Sequence, residues 1–411
     1  MSRTKLLLVF FVSVCILGIW YPLFTARVKP QNDHWSDTLV TNALQNANGV
    51  GTVPKTNLGV SLPMREGTVE EILKVVPNES YKSAFGLQGY IAVWTWKVMG
   101  QPSLPLTVKV LRVLYSMLLA AVLLPFAWSL RKQFGTVAFA LVCAMIPTSI
   151  LVSNFGRSLH WQGWLIFLPV VYGWVMYPSA VEEGRLKQYW AIIIGLVMLR
   201  SLVGYEFLSN IAIALMIRPA VYHLHFGELG ARWKKITLSA VGATVVGFML
   251  AAFIHVGVLS SEVGGPAQAI SHIKSRVSDR MSTKLTGEDA VYAAVDNPSV
   301  VEIAKPYLVD FGPYMLPVGL SLLAGIILSA VIFKDWLSDR TNRRTQEELI
   351  LLGLGGLASA SWALLMRNHM IVGVVHNGII FYLPFYFLLA AVVGRRMEEG
   401  LQRANSLDVA A

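Results

Sequence analysis

Long apolar runs alternate with short polar segments over most of the 411-residue chain. A transmembrane helix needs about 20 consecutive, mostly apolar residues. About ten runs meet that requirement, so the pattern predicts an all-α polytopic membrane protein with a single integral membrane domain over 1–411. The predicted spans lie near 6–25, 103–130, 136–155, 162–178, 189–204, 207–223, 236–258, 314–333, 349–366 and 378–394.

Two longer polar segments interrupt this alternation, at 26–102 and at 259–313. The first ends in a stretch, 81–100, in which Trp94 and Trp96 accompany Lys97. Aromatic and basic residues combined in this way are typical of an amphipathic helix that lies in the membrane interface. We therefore expect the two segments to hold most of the mass outside the membrane.

The distribution of positive charge predicts the orientation. If the N-terminus is cytoplasmic, the inner loops and ends hold about half of the 34 Lys and Arg residues, whereas the three short outer turns hold one arginine each. Cytoplasmic loops are enriched in Lys and Arg, while long segments cross the membrane largely regardless of charge. Both termini are thus expected in the cytoplasm, and the segments 26–102 and 259–313 are expected to be extracytoplasmic.

Composition supports a membrane location and excludes a soluble protein. Hydrophobic residues make up 55% of the chain and charged residues only 14%, against roughly 25% charged in soluble domains. We attribute the net charge of +10 to loops and pockets, and expect no nucleic-acid partner. Both cysteines, Cys15 and Cys143, lie in apolar stretches and form neither a disulfide framework nor a metal-binding motif.

Cations at the predicted outer face are candidates for a phosphate site. Each short outer turn carries one arginine, and two more cations lie near the outer end of the second span. Arginine suits phosphate or pyrophosphate because its guanidinium offers a bidentate fork and stays charged. Snorkelling to lipid phosphates is the alternative for any one of them. The five candidates are Arg157, Arg200, Arg367, Lys109 and Arg112.

Three acids near the outer face are candidates for a general base. Asp33 and Asp37 lie one helical turn apart just after the first span, and Glu206 lies between two apolar runs. A carboxylate in such a place is a functional candidate. The alternatives are that the two aspartates cap a loop helix and that Glu206 forms a salt bridge with Arg200.

Polar residues beside these charges are candidates for orienting a substrate by hydrogen bonds. Histidines as metal ligands would need a third partner at fixed spacing, which the sequence lacks. No metal site is therefore predicted, although a divalent metal stays open as a cofactor. The candidates are His160, Tyr205, His369, His376 and Asn377.

The layout resembles the GT-C superfamily of polytopic membrane glycosyltransferases, in which a first outer loop with acids and an amphipathic helix follows helix 1 and a second large outer loop follows helix 7. Three local stretches are also similar to bacterial members. They are YKSAFGLQG at 81–89, GYE at 204–206, and SWALLMRNH at 361–369 followed by Asn377. Unlike the acid pair of the family, Asp33 and Asp37 are not adjacent.

The resemblance implies an activity and a location. A polyprenyl-phosphate sugar would donate its sugar to an extracytoplasmic glycan or lipid, in a single displacement that inverts the anomeric carbon. The implied location is the bacterial inner membrane, and the implied base is an acid of the first loop. A polysaccharide polymerase or ligase acting on lipid pyrophosphates, a transporter of such lipids and a non-catalytic assembly partner are the alternatives.

The predicted orientation can be tested by cysteine labelling. Cysteines introduced near positions 50 and 285 should react with an impermeant reagent added from outside, because both lie in the long outer segments. A cysteine near position 342 should react only after the membrane is permeabilised. Labelling of position 342 from outside would contradict the orientation and every site assignment that depends on it.

Overall fold

The computed structural model describes residues 33–50, 82–281, 298–309, 316–372 and 377–410, and the described part contains helices and no strand. The first eight helices are α1 (Asp33–Ala47), α2 (Leu87–Val98), α3 (Leu104–Phe134), α4 (Thr136–Thr148), α5 (Ile150–Arg157), α6 (Gly163–Glu182), α7 (Leu186–Val203) and α8 (Leu208–His225). The others are α9 (Leu229–Val263), α10 (Pro266–Met281), α11 (Val300–Val309), α12 (Leu316–Ser338), α13 (Arg343–Leu365), α14 (Arg367–Val372) and, after a 3-10 turn at Gly378–Tyr382, α15 (Phe385–Ala410).

Six segments of the described part are long and apolar enough to cross a membrane. They are helices α3, α6, α7, α9 and α13, and the segment Gly378–Ser406, which joins the 3-10 turn to most of α15. Each has at least 18 residues, close to the length that spans a hydrocarbon core. The structure therefore has the all-helical, apolar architecture expected of a polytopic membrane protein.

The predicted spans agree with the described helices in most places and differ in one. The stretches predicted at 207–223 and 314–333 are helical, as α8 and α12, and the stretch 6–25 lies outside the described residues. The stretch predicted as one span at 136–155 is divided into two helices, because Ser149 adopts an extended backbone between α4 and α5. The Ser149 hydroxyl accepts a hydrogen bond from Val152 N at 3.2 Å and so starts a new helix.

The helix expected within 81–100 is α2, which packs between α1 and the start of α3. Its two tryptophans have opposite surroundings. Trp94 is 66% exposed, whereas Trp96 is buried and donates from Nε1 to the carbonyl oxygen of Pro102 at 2.9 Å. The helix thus has one face against the bundle and one large aromatic residue on its open face.

Helices from distant parts of the sequence form the core. Helix α7 packs along α9, α8 along α13, and α15 along α4. The contact between α15 and α4 is close at Gly394, where an added Cβ would lie 2.4 Å from the Cα of Ala138. Glycine is required there because any side chain would push the two backbones apart.

A network of ion pairs around two buried glutamates connects the helices at one end of the bundle. Glu347 and Glu348, near the start of α13, are 3% and 0% exposed. Arg395 of α15 contacts both, from Nη1 to Glu347 Oε2 at 2.9 Å and from Nη2 to Glu348 Oε1 at 3.0 Å. Arg396 adds a contact from Nη2 to Glu348 Oε2 at 2.6 Å, and Arg344 donates from Nε to Glu348 Oε1 at 3.3 Å.

This network ties α13 to α15 and reaches α3, because Gln133 donates from Nε2 to Glu347 Oε1 at 2.7 Å. Buried charges are tolerated only when they are paired and hydrogen-bonded. Here Glu348 has three arginine partners. We call the group of Gln133, Glu347, Glu348, Arg395 and Arg396 the ion-pair network.

Neutralising Glu348 should destabilise the protein. In Glu348→Gln three partly exposed arginines lose a shared counter-charge, so the cost should lie near the lower end of the roughly 3–5 kcal/mol typical of breaking a buried ion pair. The matched control is Glu399→Gln, because Glu399 pairs with Arg344 but is 32% exposed, and such pairs contribute less than about 1 kcal/mol. Unfolding by a denaturing detergent measures both free energies, and equal losses would contradict a special role for Glu348.

Candidate functional site

Polar side chains gather at the opposite end of the bundle from the ion-pair network. Helix α3 has Arg112 near its start and Gln133 near its end, about 30 Å apart at 1.5 Å per residue. Around the Arg112 end lie buried polar residues from five different segments. We call Asp37, Gln88, His160, Arg200 and Glu206 the polar cluster; all five are less than 9% exposed.

Asp37 is held by donors from two other elements. Its Oδ2 accepts from Arg112 Nη2 at 2.9 Å. Its Oδ1 accepts from Ser158 Oγ at 3.1 Å, and from the backbone N–H groups of Leu159 and His160 at 2.7 and 3.3 Å. The carboxylate therefore fixes α1 to the turn that follows α5 and to the first turns of α3.

Gln88 connects this turn to α7. Its Nε2 donates to the carbonyl oxygen of Val203 at 3.1 Å and lies 3.3 Å from His160 Nδ1. Since an amide NH₂ group is only a donor, His160 Nδ1 is the acceptor in this contact. The backbone supports the same junction, because Gly86 N donates to the carbonyl oxygen of Leu202 at 3.1 Å.

Arg200 and Glu206 face each other across the turn between α7 and α8. The distance from Arg200 Nη2 to Glu206 Oε2 is 3.7 Å, so the salt bridge considered from the sequence is present. Gly204 makes the approach possible, because a Cβ at that position would lie 2.2 Å from Glu206 Oε2. The turn at 204–206, predicted to separate two spans, thus also shapes the ion pair.

Arg200 is the largest fully buried side chain of the described part. Its Nε, Nη1 and Nη2 have no hydrogen-bond partner among the described residues. Ser201 Oγ and Gln88 Oε1 are also buried and also have no hydrogen-bond partner among the described residues. A guanidinium offers five N–H donors, and leaving buried donors unsatisfied is costly. This arrangement therefore suits an anion that approaches beside Glu206.

Three rings in contact extend from the residue after Glu206 to the end of α13 and the start of α14. The Phe207 and Trp362 rings lie 5.3 Å apart, and the Trp362 and His369 rings 6.1 Å apart. Asn377 contacts the last two of these rings, because its Oδ1 lies 3.2 Å from Trp362 Nε1 and 3.1 Å from His369 Nδ1. Its Nδ2 also donates to the carbonyl oxygen of His369 at 2.7 Å.

The remaining candidates occupy different positions at the same end. Arg157 is buried at the last position of α5, and Tyr205 Oη lies 2.6 Å from His255 Nδ1. Lys109 is exposed on α3. Arg367 is half-buried at the start of α14 and donates from Nε to the carbonyl oxygen of Leu364 at 3.4 Å.

Two candidates lie partly or wholly outside the described part of the chain. His376 is outside it altogether, and Asp33 is described only as the first residue of α1. The helical path confirms that Asp33 and Asp37 are separated by one turn of helix. It places Asp33 at the first helical position, whereas Asp37, at the fifth, bonds to other elements and does not cap this helix.

Sequence reasoning did not assign roles to Gln88, Ser158 and Trp362. Gln88 and Trp362 lie in two of the stretches that resemble the glycosyltransferases, so a signal was present for both. Ser158 follows Arg157 directly and had no signal of its own, because its partner Asp37 is 121 residues away.

No group of three or more His, Cys, Asp or Glu side chains within the described ranges is arranged to hold a metal ion. These residues can bind an anion through the arginines, accept a proton through the carboxylates and form hydrogen bonds through the amides and imidazoles. Comparison of the chain with protein-family models, with curated proteins and with solved structures gave no match.

Proposed function

We propose that the protein is a membrane glycosyltransferase that moves a sugar from a polyprenyl-phosphate donor to an extracytoplasmic acceptor, a glycan or a lipid of the cell envelope. The observation that carries the proposal is Arg200. It is fully buried at the end of a helix apolar enough to span a membrane, and its three side-chain nitrogens lack hydrogen-bond partners among the described residues.

The donor phosphate would bind next to Arg200. A phosphate on a long lipid reaches the end of a membrane-embedded bundle from the bilayer itself, so its binding requires no wide aqueous cleft. Arg157 supplies a second buried cation at this end, while Lys109 and Arg367 are accessible to guide an anion. Fixed cations also stabilise the charge that develops on the leaving phosphate.

The reaction needs one proton acceptor. A carboxylate takes the proton of the acceptor hydroxyl, the resulting oxygen attacks the anomeric carbon, and the bond from that carbon to the phosphate oxygen breaks. The electron pair of that bond leaves with the lipid phosphate. Attack from the side opposite the leaving group inverts the anomeric carbon.

The contacts of Asp37 suit a positioning role better than proton acceptance. Both of its oxygens already accept hydrogen bonds, one of them from a guanidinium. Both oxygens are therefore already engaged in holding α3 and the turn after α5 in place. We therefore assign proton acceptance to Asp33 or Glu206, and assign to Asp37 the alignment of Arg112 with the turn that contains His160.

Substitution of Arg200 tests the phosphate site. Full-length protein in detergent would be incubated with a panel of polyprenyl-phosphate sugars, and released lipid phosphate would be measured. Arg200→Gln should weaken donor use about 10- to 100-fold, because a hydrogen bond to a charged group contributes roughly 1.5–3 kcal/mol. Arg200→Lys should restore only part of it, since the fork is lost.

The matched control is Arg340→Gln, which removes an exposed arginine that stacks on Trp336 at the other end of the bundle. It should leave donor use unchanged. Normal donor affinity in Arg200→Gln, Arg157→Ala and Arg367→Ala would refute the phosphate site. If the intact donor instead crosses the membrane of vesicles that contain the protein, and no lipid phosphate is released, the protein would be a transporter.

Substitution of the acids tests the base. Loss of a general base typically costs about 100- to 10,000-fold in rate, so Asp33→Asn or Glu206→Gln should show that loss with donor binding retained. Asp37→Asn should lower stability together with activity, because Arg112 loses its counter-charge. The measurements are turnover, donor affinity and thermal unfolding of each variant.

Two outcomes separate the roles. A variant that loses turnover but keeps stability and donor binding identifies the base. Normal sugar transfer by all three neutral variants would exclude the acid–base mechanism and favour a polymerase or ligase that works without an acid from the first loop.

A further inference from the structure

A cavity of about 520 Å³ lies between α3, α6 and α8, at the same end of the bundle as the ion-pair network. One wall is apolar. It consists of Pro125 and Trp128 of α3 and Val175 and Pro178 of α6. Helices α3 and α6 are both apolar enough to span a membrane, so this wall faces the depth at which acyl chains meet head groups.

The other wall is polar and basic, and is made of Lys132, Gln133, Arg218 and His225. None of the described residues that line the cavity is an acid. Arg218 donates from Nη1 to Gln133 Oε1 at 2.7 Å, and its Cζ lies 5.5 Å from the ring centroid of Trp174. Its buried Nε has no hydrogen-bond partner in the described part of the chain.

The nearest carboxylate does not cancel this positive charge. Glu347 lies 3.8 Å from His225 Nε2, and it accepts from Gln133 Nε2 at 2.7 Å. Its second oxygen accepts from Arg395 Nη1 at 2.9 Å. Glu347 also interacts electrostatically with Arg218, but because Arg395 pairs with Glu347, Lys132 and Arg218 leave the cavity lining positively charged.

We propose that this cavity binds the phosphate of an anionic ligand. The phosphate oxygens accept from Lys132 and Arg218, and the apolar wall covers the carbon chain next to it. An anionic phospholipid head group and a soluble glycerol phosphate present the same phosphate chemistry. Basic pockets between helices at the cytoplasmic side are typical sites for anionic lipids. The proposal is independent of the glycosyltransferase activity.

Native mass spectrometry of the detergent-solubilised full chain tests the lipid arm. Dioleoylphosphatidylglycerol and dioleoylphosphatidylcholine would be titrated separately, and the first bound lipid counted. We expect the anionic lipid to bind at lower concentration than the zwitterionic lipid. Lys132→Gln and Arg218→Gln should each weaken its binding about fivefold, because one basic residue near the surface contributes roughly 1 kcal/mol.

The matched control is Lys187→Gln, which removes an exposed lysine from the start of α7, next to the end of α6 but outside the cavity. It should leave the binding of the first lipid unchanged. Lys132 is itself exposed, so Lys132→Gln remains informative even if Arg218→Gln fails to fold.

Titration calorimetry with glycerol 3-phosphate distinguishes the soluble source. If glycerol 3-phosphate binds saturably and Lys132→Gln weakens that binding, the site takes a soluble ligand. If the anionic lipid binds and glycerol 3-phosphate does not, the site takes a lipid. Equal binding of the two lipids together with no binding of glycerol 3-phosphate would overturn the proposal. An equal loss in Lys187→Gln and Lys132→Gln would also overturn it.

Discussion

An ionised side chain buried in an apolar helical bundle needs an opposite charge or a ligand, and this constraint explains how the charges of the protein are arranged. Buried charges occur at the two ends of the described helices rather than along their middles. At one end Glu347 and Glu348 are enclosed by arginines. At the other end Asp37 is enclosed by Arg112 and by backbone donors. The middles are left to apolar packing.

The helices themselves follow from the sequence, because hydrophobic length is a local property. Even the short turn at 204–206, which separates α7 from α8, was predicted at the correct place. The break at Ser149 was missed for a physical reason. A serine cap inside an apolar run barely changes mean hydropathy, although its hydroxyl begins a new helix.

The candidate site was predictable as a set of residues and not as a set of contacts. Arg200 was a candidate because it is a positive charge in a short turn predicted to be extracytoplasmic, where Lys and Arg are depleted. Glu206, six residues later, was the expected partner of its ion pair. The partners of Asp37 were not predictable, because they lie 75 to 123 residues away and two of them are backbone N–H groups. Backbone donors leave no mark in the sequence, so only the fold shows that this carboxylate is already saturated.

Helix α13 relates the two ends to each other. It carries Glu348 near its start and Trp362 near its end, 14 residues or about 21 Å apart. The ion-pair network fixes the first of these positions, and the edge-to-face contact of Trp362 with Phe207 fixes the second next to the turn that holds Glu206. Helix α13 thus supports Phe207 and, with it, the turn whose Glu206 faces Arg200. Among the described buried charges, Arg200 has one ion pair, to Glu206 at 3.7 Å, and no hydrogen bond, which is why the proposed phosphate site is centred on it.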